Sequence, residues 1–440
     1  MASVLLPNSS ARTLSGISQP GADRQFHKLP TVKLKNWRVI HACEYAHDIL
    51  PVVEGQVAAG MRPYIVTPQG AGTAELYLAT KDMGQPGTFS LLRAWQDVRN
   101  WRKSLLECDP ENSSDVVHTH SFASGMAGVR NLSCVVYDLN ACIEELAISA
   151  GLCEPGSWMG RSFRVAEQFI LSRAEAVIVH SLGMKAAVEE RGAAAESVFL
   201  IPDPVALNGD DVPGLENNFP PNRSAPESAT VNYFVPQATP SDDADLSETL
   251  LTVLEAFALA QPEVPHSQLL IEASPAAFAA IRNHAERLGI AEHVRAIEPN
   301  DLSAFLQTAT VVIATSGSPH NPVQARQPSD VCLRSLTIGK PLLAADVPCN
   351  RETSPDGRGC LWFKEGDARD LGYRMAFLGR NPDFRETLAA SGRAYIREAR
   401  NSTAIGQQYD AAYRHAISRK KIGRPGQQAP NLIPITSAFG

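Results

Sequence analysis

Residues 329–346 have the sequence SDVCLRSLTIGKPLLAAD, in which one helix and one strand follow each other closely. The serine after Pro328 can cap the free backbone N–H groups at the start of a helix. Apolar residues at helical spacing then form a packed side, and Gly339 supplies the left-handed residue that ends the helix. Lys340 and Pro341 lead directly into four apolar residues, a run typical of a strand buried on both faces. The stretch therefore predicts a helix, a tight turn and a buried parallel strand.

The same alternation of apolar runs and helical periodicity extends in both directions from this stretch. It begins at Trp37, where a strand, a helix and a second strand follow one another within about 30 residues. Residues 206–230 interrupt it, because they are rich in Asn, Asp, Pro, Gly and Ser and have no apolar period. The pattern predicts an α/β protein with two Rossmann-like domains and a linker between them.

The composition excludes several classes of protein. With 440 residues, 44% hydrophobic and 20% charged, the chain is long enough for two globular domains with separate cores. A net charge of -7 provides no basic field for nucleic acid. No apolar run approaches the ~20 residues of a membrane span, and the first residues do not resemble a secretory signal. Eight cysteines without a C-x-x-C pair favour neither a zinc site nor a disulfide framework, so we expect a cytoplasmic protein.

Three segments resemble retaining family-four glycosyltransferases of the GT-B fold. Residues 329–346 have the layout of that family's donor-nucleotide run, L-E-A-M-A-x-G-x-P-V-V-A. Residues 115–121, DVVHTHS, are similar to its D-V-V-H-x-H strand end, and residues 135–140, VVYDLN, are similar to its V-V-Y-D-x-H segment. The resemblance extends in the correct order over residues 37–417. It implies a GT-B architecture, in which an N-terminal acceptor domain and a C-terminal donor-nucleotide domain face an interdomain cleft.

The sequence pattern and this resemblance together predict the organisation of the chain. The loop at residues 319–327 is long for a connection between a strand and a helix, which indicates a function or an altered site. The expected parts are a disordered tail (1–36), an N-terminal domain (37–205), a linker (206–230), a C-terminal domain (231–402), a crossover helix that returns to the first domain (403–418) and a second disordered tail (419–440).

The resemblance implies a donor site at a strand end and at the start of the helix in residues 329–346. In the family, two glutamates eight residues apart contact the donor sugar and the ribose, whereas this chain has Arg326 and Arg334 there. A guanidinium only donates hydrogen bonds, so it cannot bind ribose as a carboxylate does, but its fork matches a phosphate. Arg334 could equally face solvent or a surface acid. The candidate donor-binding residues are Ser316, Arg326, Ser329, Asp330, Val331 and Arg334.

Histidines supply the candidate catalytic residue. His120, which is closest to the end of its strand, is expected to contact the donor or acceptor sugar; a hydrogen-bonded structural histidine is the alternative. His118 and His120 alternate onto one face, but no third ligand is near them in the sequence, so we expect no metal site. The candidate acceptor contacts are His47, Asp48 and Asn140, although the first two could also be solvent-facing loop residues.

Three features depart from the family pattern. The glycine pair after the first strand is replaced by EYAHD at residues 44–48, an acidic loop replaces the diphosphate clamp, and both donor glutamates are missing. We therefore keep two hypotheses. The first is a retaining, hexosyltransferase-like enzyme that moves a sugar from a nucleotide-diphosphate donor to a glycan or lipid-linked acceptor, without a further cofactor. The second is a non-catalytic pseudo-glycosyltransferase that binds a partner protein or a glycan.

A basic amphipathic pattern leaves the question of membrane contact open. Such a helix could lie on the inner face of an anionic membrane, which would make the protein peripheral. It could also pack on the sheet with its polar face in water, which suits the alternation of strands and helices. The helix is predicted over residues 91–106, with one face formed by Leu92, Trp95, Val98, Arg102 and Leu105.

Overall fold

The computed structural model of the chain describes residues 3–5, 37–43, 49–67, 91–109, 111–131, 134–203, 230–235, 247–297, 306, 308–315, 326 and 330–422. Its β-strands are β1 (Ser3–Leu5), β2 (Arg38–Ala42), β3 (Arg62–Thr67), β4 (Val116–Thr119), β5 (Val135–Leu139), β6 (Ala176–Val179), β7 (Val198–Leu200), β8 (Val231–Val235), β9 (Ser267–Glu272), β10 (Val294–Ile297), β11 (Val311–Ala314), β12 (Leu342–Ala345) and β13 (Cys360–Phe363). Its α-helices are α1 (Leu50–Ala58), α2 (Leu91–Cys108), α3 (Phe122–Asn131), α4 (Ile143–Ser149), α5 (Trp158–Arg173), α6 (Leu182–Glu190), α7 (Glu248–Ala260), α8 (Pro275–Arg287), α9 (Asp330–Ile338), α10 (Pro348–Thr353), α11 (Ala368–Arg380), α12 (Pro382–Ala399) and α13 (Ser402–Ile422).

The strands form two sheets, one in each half of the chain. The first has the order β1-β3-β2-β4-β5-β6-β7 and is parallel except for β1, which is antiparallel to β3. The second has the order β10-β9-β8-β11-β12-β13 and is parallel throughout. Apolar clusters cover both faces of each sheet. This α/β architecture confirms the predicted GT-B fold.

The helix and strand predicted from residues 329–346 are present as α9 and β12. The four apolar residues of the predicted packed side are buried, and Gly339 has a φ of 73° directly after the helix. All four residues of β12 are buried, and the strand pairs in parallel with β11 and β13. The apolar run was sufficient to predict this strand, because a central parallel strand is buried on both faces and has no polar side.

The last helix, α13, packs against the first domain. Its Tyr409 and Tyr413 are fully buried in a core formed with β2, β4, β5 and β6. A Cβ atom at Gly406 would lie 2.3 Å from the carbonyl oxygen of Gly55 in α1, so these two helices approach as closely as they do only with glycine there. The helix that follows the second domain thus forms part of the core of the first.

The structure differs from the predicted organisation at both ends. Ser3–Leu5, which lie in the predicted disordered tail, form β1 by pairing with residues 65–67 of β3. An unpaired sheet edge can order a short segment whose own composition has no periodicity. At the other end, α13 runs from Ser402 to Ile422, beyond the predicted limit at residue 418. The remaining parts of both predicted tails lie outside the described residues.

Helix α2 turns its apolar side toward the protein. Val98, Trp101 and Leu105 are buried. Arg102, which we predicted to lie on this face, is exposed, because the spacing of the three buried residues places Trp101 there instead. In the described ranges, no helix combines the length and the apolar character that crossing a membrane requires.

Candidate functional site

Polar side chains stand at the carboxyl ends of four neighbouring strands of the first sheet. His41 is near the end of β2, His120 follows β4, Asp138 is near the end of β5 and His180 follows β6. Because neighbouring parallel strands end at the same edge of a sheet, these groups lie close together. Helix α13 packs on one face of the sheet, and His41 and Asp138 are buried, whereas His120 and His180 are partly buried.

His41, His118 and His120 form what we call the histidine cluster. The Cα atoms of His41 and His118 are paired in the register of β2 and β4, and His120 lies further along the same face. The ring centroids of His118 and His120 are 4.1 Å apart, and Nδ1 of His41 is 3.0 Å from Nε2 of His120. His41 and His118 are fully buried, whereas 14% of the His120 side chain is exposed. One nitrogen of each ring lies within 4.8 Å of the others, so the cluster is a candidate metal ligand set.

Hydrogen bonds to α1 and α13 orient the cluster. Gln56 in α1 donates from Nε2 to the hydroxyl of Tyr413, and its Oε1 accepts from Nε2 of His41, both at 2.8 Å. The Nδ1 atom of His41 is then an acceptor, and His120 donates to it. The Tyr413 hydroxyl donates to Nδ1 of His118 at 2.8 Å, so Nε2 of His118 donates to the carboxylate at the end of β5 at 3.0 Å. The cluster is therefore part of one directed chain of hydrogen bonds.

Asp138 and His180 form a charged pair at this edge. His180 donates from Nε2 to Oδ1 of Asp138 at 2.6 Å and from Nδ1 to the carbonyl of Ile201 at 2.7 Å, and Nδ1 lies 3.1 Å from the Asp203 carboxylate. Burial would lower the pKa of His180, but Asp203 and Asp138 outweigh it and raise the pKa to about 10. Burial would raise the pKa of Asp138, but His180 and His118 hold it well below its usual range. At neutral pH the pair consists of an imidazolium and a carboxylate.

Two members of the histidine cluster are uncharged at neutral pH. Burial, followed by the neighbouring His118, lowers the pKa of His41 to about 3. The same two causes hold the pKa of His120 well below its usual value, against the opposite effect of Asp138. An uncharged imidazole keeps one lone pair, so these groups can accept a hydrogen bond or ligate a metal ion.

A second group of buried charges lies in α4 and α5. Glu144, Glu145 and Glu167, which we call the acidic cluster, surround Arg191. Nη2 of Arg191 is 2.8 Å from Glu145 and 3.6 Å from Glu144, and its Nε is 3.9 Å from Glu167. Burial raises the pKa of Glu167 to about 7, against the hydrogen bond from the Ile143 backbone N–H and the charge of Arg191. This carboxyl group therefore takes up a proton near neutral pH.

Arg326 connects the second domain to this acidic cluster. Its Nε lies 3.3 Å from Oε1 of Glu145, and its Nη1 donates to the carbonyl of Gly183 at 3.3 Å. Its own carbonyl accepts a hydrogen bond from the Ser181 hydroxyl at 2.6 Å. A Cβ atom at Gly183 would lie 2.9 Å from that carbonyl oxygen, so the close approach requires glycine. The guanidinium is thus directed toward the first domain.

Two further contacts join the domains. Glu352 in α10 accepts a hydrogen bond from the backbone N–H of Leu182, at the start of α6, at 2.7 Å. Arg400 donates to the carbonyls of Glu352 and Asp203 at 3.2 and 3.4 Å. Because α6 follows β6 and α10 follows β12, these contacts bring the carboxyl edges of the two sheets together. In open α/β sheets, ligands bind outside these edges.

The predicted site residues are distributed unequally around this interface. His120 lies at the end of β4, Asn140 is exposed just beyond β5, and Arg334 is exposed on α9. Val331 is buried in the core of the second domain, so only its backbone is left to reach a ligand. Asp330 is the first residue of α9. Four predicted residues lie outside the described residues: His47, Asp48, Ser316 and Ser329.

Sequence reasoning missed three residues of the site: His41, Asp138 and Tyr413. A signal for His41 was present, because β2 and β4 both end in an apolar run followed by histidine and are neighbours in the sheet. Asp138 stands in a segment from which we selected only Asn140. Tyr413 gave no signal, because it lies 295 residues from its partner His118.

One family model matches the first domain. Residues 45–204 match the glycosyl transferase 4-like domain. The matched segment contains His118, His120, Asp138 and His180, and ends close to the linker. Among the curated proteins compared with the chain, none is a significant match.

Solved structures share the two-domain fold. Sucrose-phosphate synthase from Thermosynechococcus elongatus is 15% identical with a TM-score of 0.54, over 87% of this chain and 100% of that chain. A glycosyltransferase from Rickettsia africae is 12% identical with a TM-score of 0.57, over 87% and 99%. HepE from Anabaena, solved in complex with UDP, is 13% identical with a TM-score of 0.53, over 86% and 99%. Residues 45–204 are therefore similar to the glycosyl transferase 4-like domain, and the chain has the GT-B fold of these structures.

Proposed function

We propose that this protein is a retaining glycosyltransferase that moves a sugar from a nucleotide-diphosphate donor to a glycan or lipid-linked acceptor. One observation carries the proposal. The carboxyl edges of both parallel sheets meet at the domain contacts, and the edge of the first sheet lies within the segment that matches the glycosyl transferase 4-like domain. The structure of HepE with UDP supports a nucleotide as part of the donor.

The start of α9 is the proposed diphosphate site. The free backbone N–H groups and the helix dipole at this end favour an anion and need no particular side chain. Arg334 is exposed one turn further along the same helix and adds a positive charge, whereas Asp330 in the first turn weakens the attraction. Ser316 and Ser329 complete the proposed donor contacts. This arrangement would replace the two carboxylates of the family pattern with positive charge at the phosphates.

His120 is the proposed contact with the transferred sugar. Its imidazole is uncharged, is oriented by the hydrogen bond to His41 and is the one partly exposed member of the histidine cluster. Retaining transfer of this type is thought to require mainly positioning and stabilisation of the leaving diphosphate, so we assign His120 an orienting role. Asn140, His47 and Asp48 are the proposed acceptor contacts.

Arg326 favours a second candidate function, that of a non-catalytic pseudo-glycosyltransferase. At this position the resembling family has a carboxylate that contacts the donor sugar. Here the guanidinium is paired with Glu145 of the first domain and also bonds to Gly183. An ion pair across the domain contact would hold the domains together without a nucleotide, as a partner-binding subunit requires.

Thermal unfolding with added nucleotides distinguishes the two candidates. The purified full chain is mixed with millimolar UDP, GDP, ADP and their sugar conjugates, all with a chelator present. A ligand at ~100 times its dissociation constant stabilises a fold by ~2.7 kcal/mol, which gives a measurable shift in Tm. We expect one nucleotide series to stabilise the protein. For that series, hydrolysis or transfer of the sugar is then followed by NMR of the anomeric proton, which also reports retention.

Arg334→Ala is the decisive variant, because it should remove most of the shift without unfolding the protein. Arg369→Ala is the matched control, since Arg369 is also an exposed arginine on a helix of the second domain. Stabilisation that is lost only in Arg334→Ala supports the donor site. The absence of any shift, with every nucleotide, contradicts the transferase and leaves the pseudo-glycosyltransferase.

A further inference from the structure

The histidine cluster has the arrangement of a metal ligand set as well as that of a hydrogen-bonded network. His41 and His118 are opposite each other on adjacent strands, and His120 follows on the same face. The rigid sheet therefore holds three imidazoles so that one nitrogen of each lies within 4.8 Å of the others. Three histidines from a β-sheet are a known way to bind a tetrahedral zinc ion.

The outward nitrogens of the cluster already have the partners that metal sites use. Nε2 of His41 donates to Oε1 of Gln56, and Nδ1 of His118 is 2.8 Å from the Tyr413 hydroxyl. A ligating histidine usually hydrogen-bonds through its second nitrogen to an oxygen, which fixes the ring and its tautomer. On metal binding the proton of His118 would move from Nε2 to Nδ1, and the Tyr413 oxygen, which has two acceptor positions, would then accept from Gln56 and His118 together. Nδ1 of His41 and Nε2 of His118 are consequently directed into the cluster.

A carboxylate stands beside the three imidazoles. Oδ2 of Asp138 lies 3.0 Å from Nε2 of His118 and 3.8 Å from Nδ1 of His120, whereas His120 faces His41 through Nε2. Because one imidazole binds an ion through one nitrogen, the His120 ring must turn for His41, His120 and Asp138 to share an ion. Oδ1 of Asp138 accepts a hydrogen bond from His180 at 2.6 Å. This bond orients the carboxylate, as the bonds to Gln56 and Tyr413 orient the histidines. Three imidazoles and one carboxylate are a donor set that suits zinc and similar divalent ions.

An ion requires the cluster to contract. Two nitrogens bound to a tetrahedral zinc ion at ~2.0–2.1 Å are about 3.4 Å apart. The 3.0 Å between His41 and His120 is close to this separation, whereas the 4.8 Å that spans the cluster must shorten by roughly 1.4 Å. His120 is the member with room to move, because its side chain is 14% exposed, and it also offers the path by which an ion enters.

We propose that His41, His118 and His120, with Asp138 as a fourth ligand, bind one divalent transition-metal ion of the zinc type. This site goes beyond the proposed glycosyl transfer but shares His120 with it; metal uptake and stabilisation by a nucleotide are separate measurements. The ion would connect β2, β4 and β5 and, through Gln56 and Tyr413, the helices α1 and α13. Either proposal can fail without the other.

The test is metal binding by the purified full chain without an affinity tag of histidines. After treatment with a chelator, the protein is titrated with Co²⁺ and then with Zn²⁺, and bound metal is counted by mass spectrometry. We expect one equivalent of Co²⁺, a visible absorption spectrum of tetrahedral type without a sulfur charge-transfer band, and displacement by Zn²⁺. The spectrum is informative because the chain has eight free cysteines, which would give that band.

Variants assign the ion to the cluster. His120→Ala and His41→Gln should each weaken binding by more than the ~10–100-fold that loss of an outer partner costs, and Gln56→Ala should weaken it by about that factor. His293→Ala is the matched control, because His293 is a partly buried histidine of the second domain, and it should leave binding unchanged. Thermal unfolding in the presence of a chelator shows which variants are folded. Because the His120 side chain is partly exposed, His120→Ala should fold even if His41→Gln does not, and it can then be tested alone. No uptake at micromolar Co²⁺ or Zn²⁺, or equal uptake by wild type and His120→Ala, overturns the proposal.

Discussion

The carboxyl edges of the two sheets have the same topology but opposite characters. In the first domain, His41 and Asp138 are buried at the strand ends, and His180 beside them is hydrogen-bonded to Asp138. In the second domain, Asp346 follows β12, and its carboxylate bonds to Arg351 at 2.6 and 2.8 Å while both side chains are almost half exposed. The first edge is therefore organised by the protein itself, whereas the described end of β12 is open to solvent.

This difference indicates which domain holds its side chains rigidly and which has side chains that can rearrange. Buried polar groups cost free energy unless all their partners are present, so the first edge allows few arrangements. Exposed ion pairs contribute little and can rearrange when a ligand arrives. We infer that the first domain presents a preorganised surface and that the second supplies groups able to adjust to a nucleotide.

Replacing one aspartate at each edge should give the largest contrast. Asp138→Ala removes the buried carboxylate that pairs with His180 and accepts from His118, and leaves only the more exposed Asp203 beside the imidazolium, so we expect a loss of about 3–5 kcal/mol in the free energy of unfolding. Asp346→Ala, the matched change at the exposed edge, should have no measurable effect. Urea unfolding in the presence of a chelator measures both. Equal losses in the free energy of unfolding would contradict the difference that we infer between the two edges.

The pH dependence of stability should reveal the buried Glu167. Its pKa is about 7 in the folded protein against an ordinary value of 4.5, so the folded state binds more protons than the unfolded state between these values. Stability should therefore be fully present below about pH 4.5 and fall as pH rises through 7, by up to roughly 3 kcal/mol from this group.

Glu167→Gln should remove this fall, because glutamine keeps the acceptor for the Ile143 N–H and cannot ionise. The measurement is urea unfolding at several pH values between 5 and 8 for both proteins. Glu286→Gln is the control, since Glu286 is half exposed on α8 and should leave the profile unchanged. Parallel profiles for wild type and Glu167→Gln would mean that the carboxyl is ionised throughout.

Removing the hydroxyl of Tyr413 should have an intermediate effect. Tyr413→Phe keeps the buried ring but leaves Gln56 and His118 each without one hydrogen bond, at a cost of about 1–3 kcal/mol. Tyr395→Phe in the second domain is the matched change, because the ring is buried and its contact with Arg358 is retained. We expect its free energy of unfolding to stay close to that of wild type. The contrast between the domains is weakened if the two variants lose equal stability.

The smallest expected effect concerns the contact between the edges. Arg326→Ala removes the ion pair with Glu145, which keeps Arg191 as its partner, so we expect a loss of about 1 kcal/mol or less. The same change should let the domains separate more easily, which small-angle scattering would report as a larger radius of gyration. Arg282→Ala removes an exposed ion pair within α8 and should change neither quantity. An unchanged radius in Arg326→Ala would show that the other two domain contacts suffice.

Much of the fold could be predicted from local patterns. The helix α9, the positive φ of Gly339 and the buried strand β12 all follow from one stretch, because each depends on residues that are neighbours in the chain. The ends of the chain could not be predicted in the same way. Ser3–Leu5 become a strand only because the edge of β3 is available to pair with them.

The candidate site could be predicted only in part. A motif at the end of an apolar run pointed to His120, and the shared face of His118 and His120 followed from strand alternation. The burial of Val331 agrees with the predicted packed side of α9 and leaves only its backbone for the predicted donor contact. The role of Arg326 was open, since its partner Glu145 belongs to the other domain.

From the sequence alone, the alternation of strands and helices, the linker between two domains and the position of His120 at a strand end could be derived. These features rest on interactions between residues close in the chain, and periodicity records them. The meeting of His41 with His118, and of both with Gln56 and Tyr413, depends on strand order and on the packing of α13. Such contacts join residues up to 357 positions apart, so their chemistry exists only once the chain has folded.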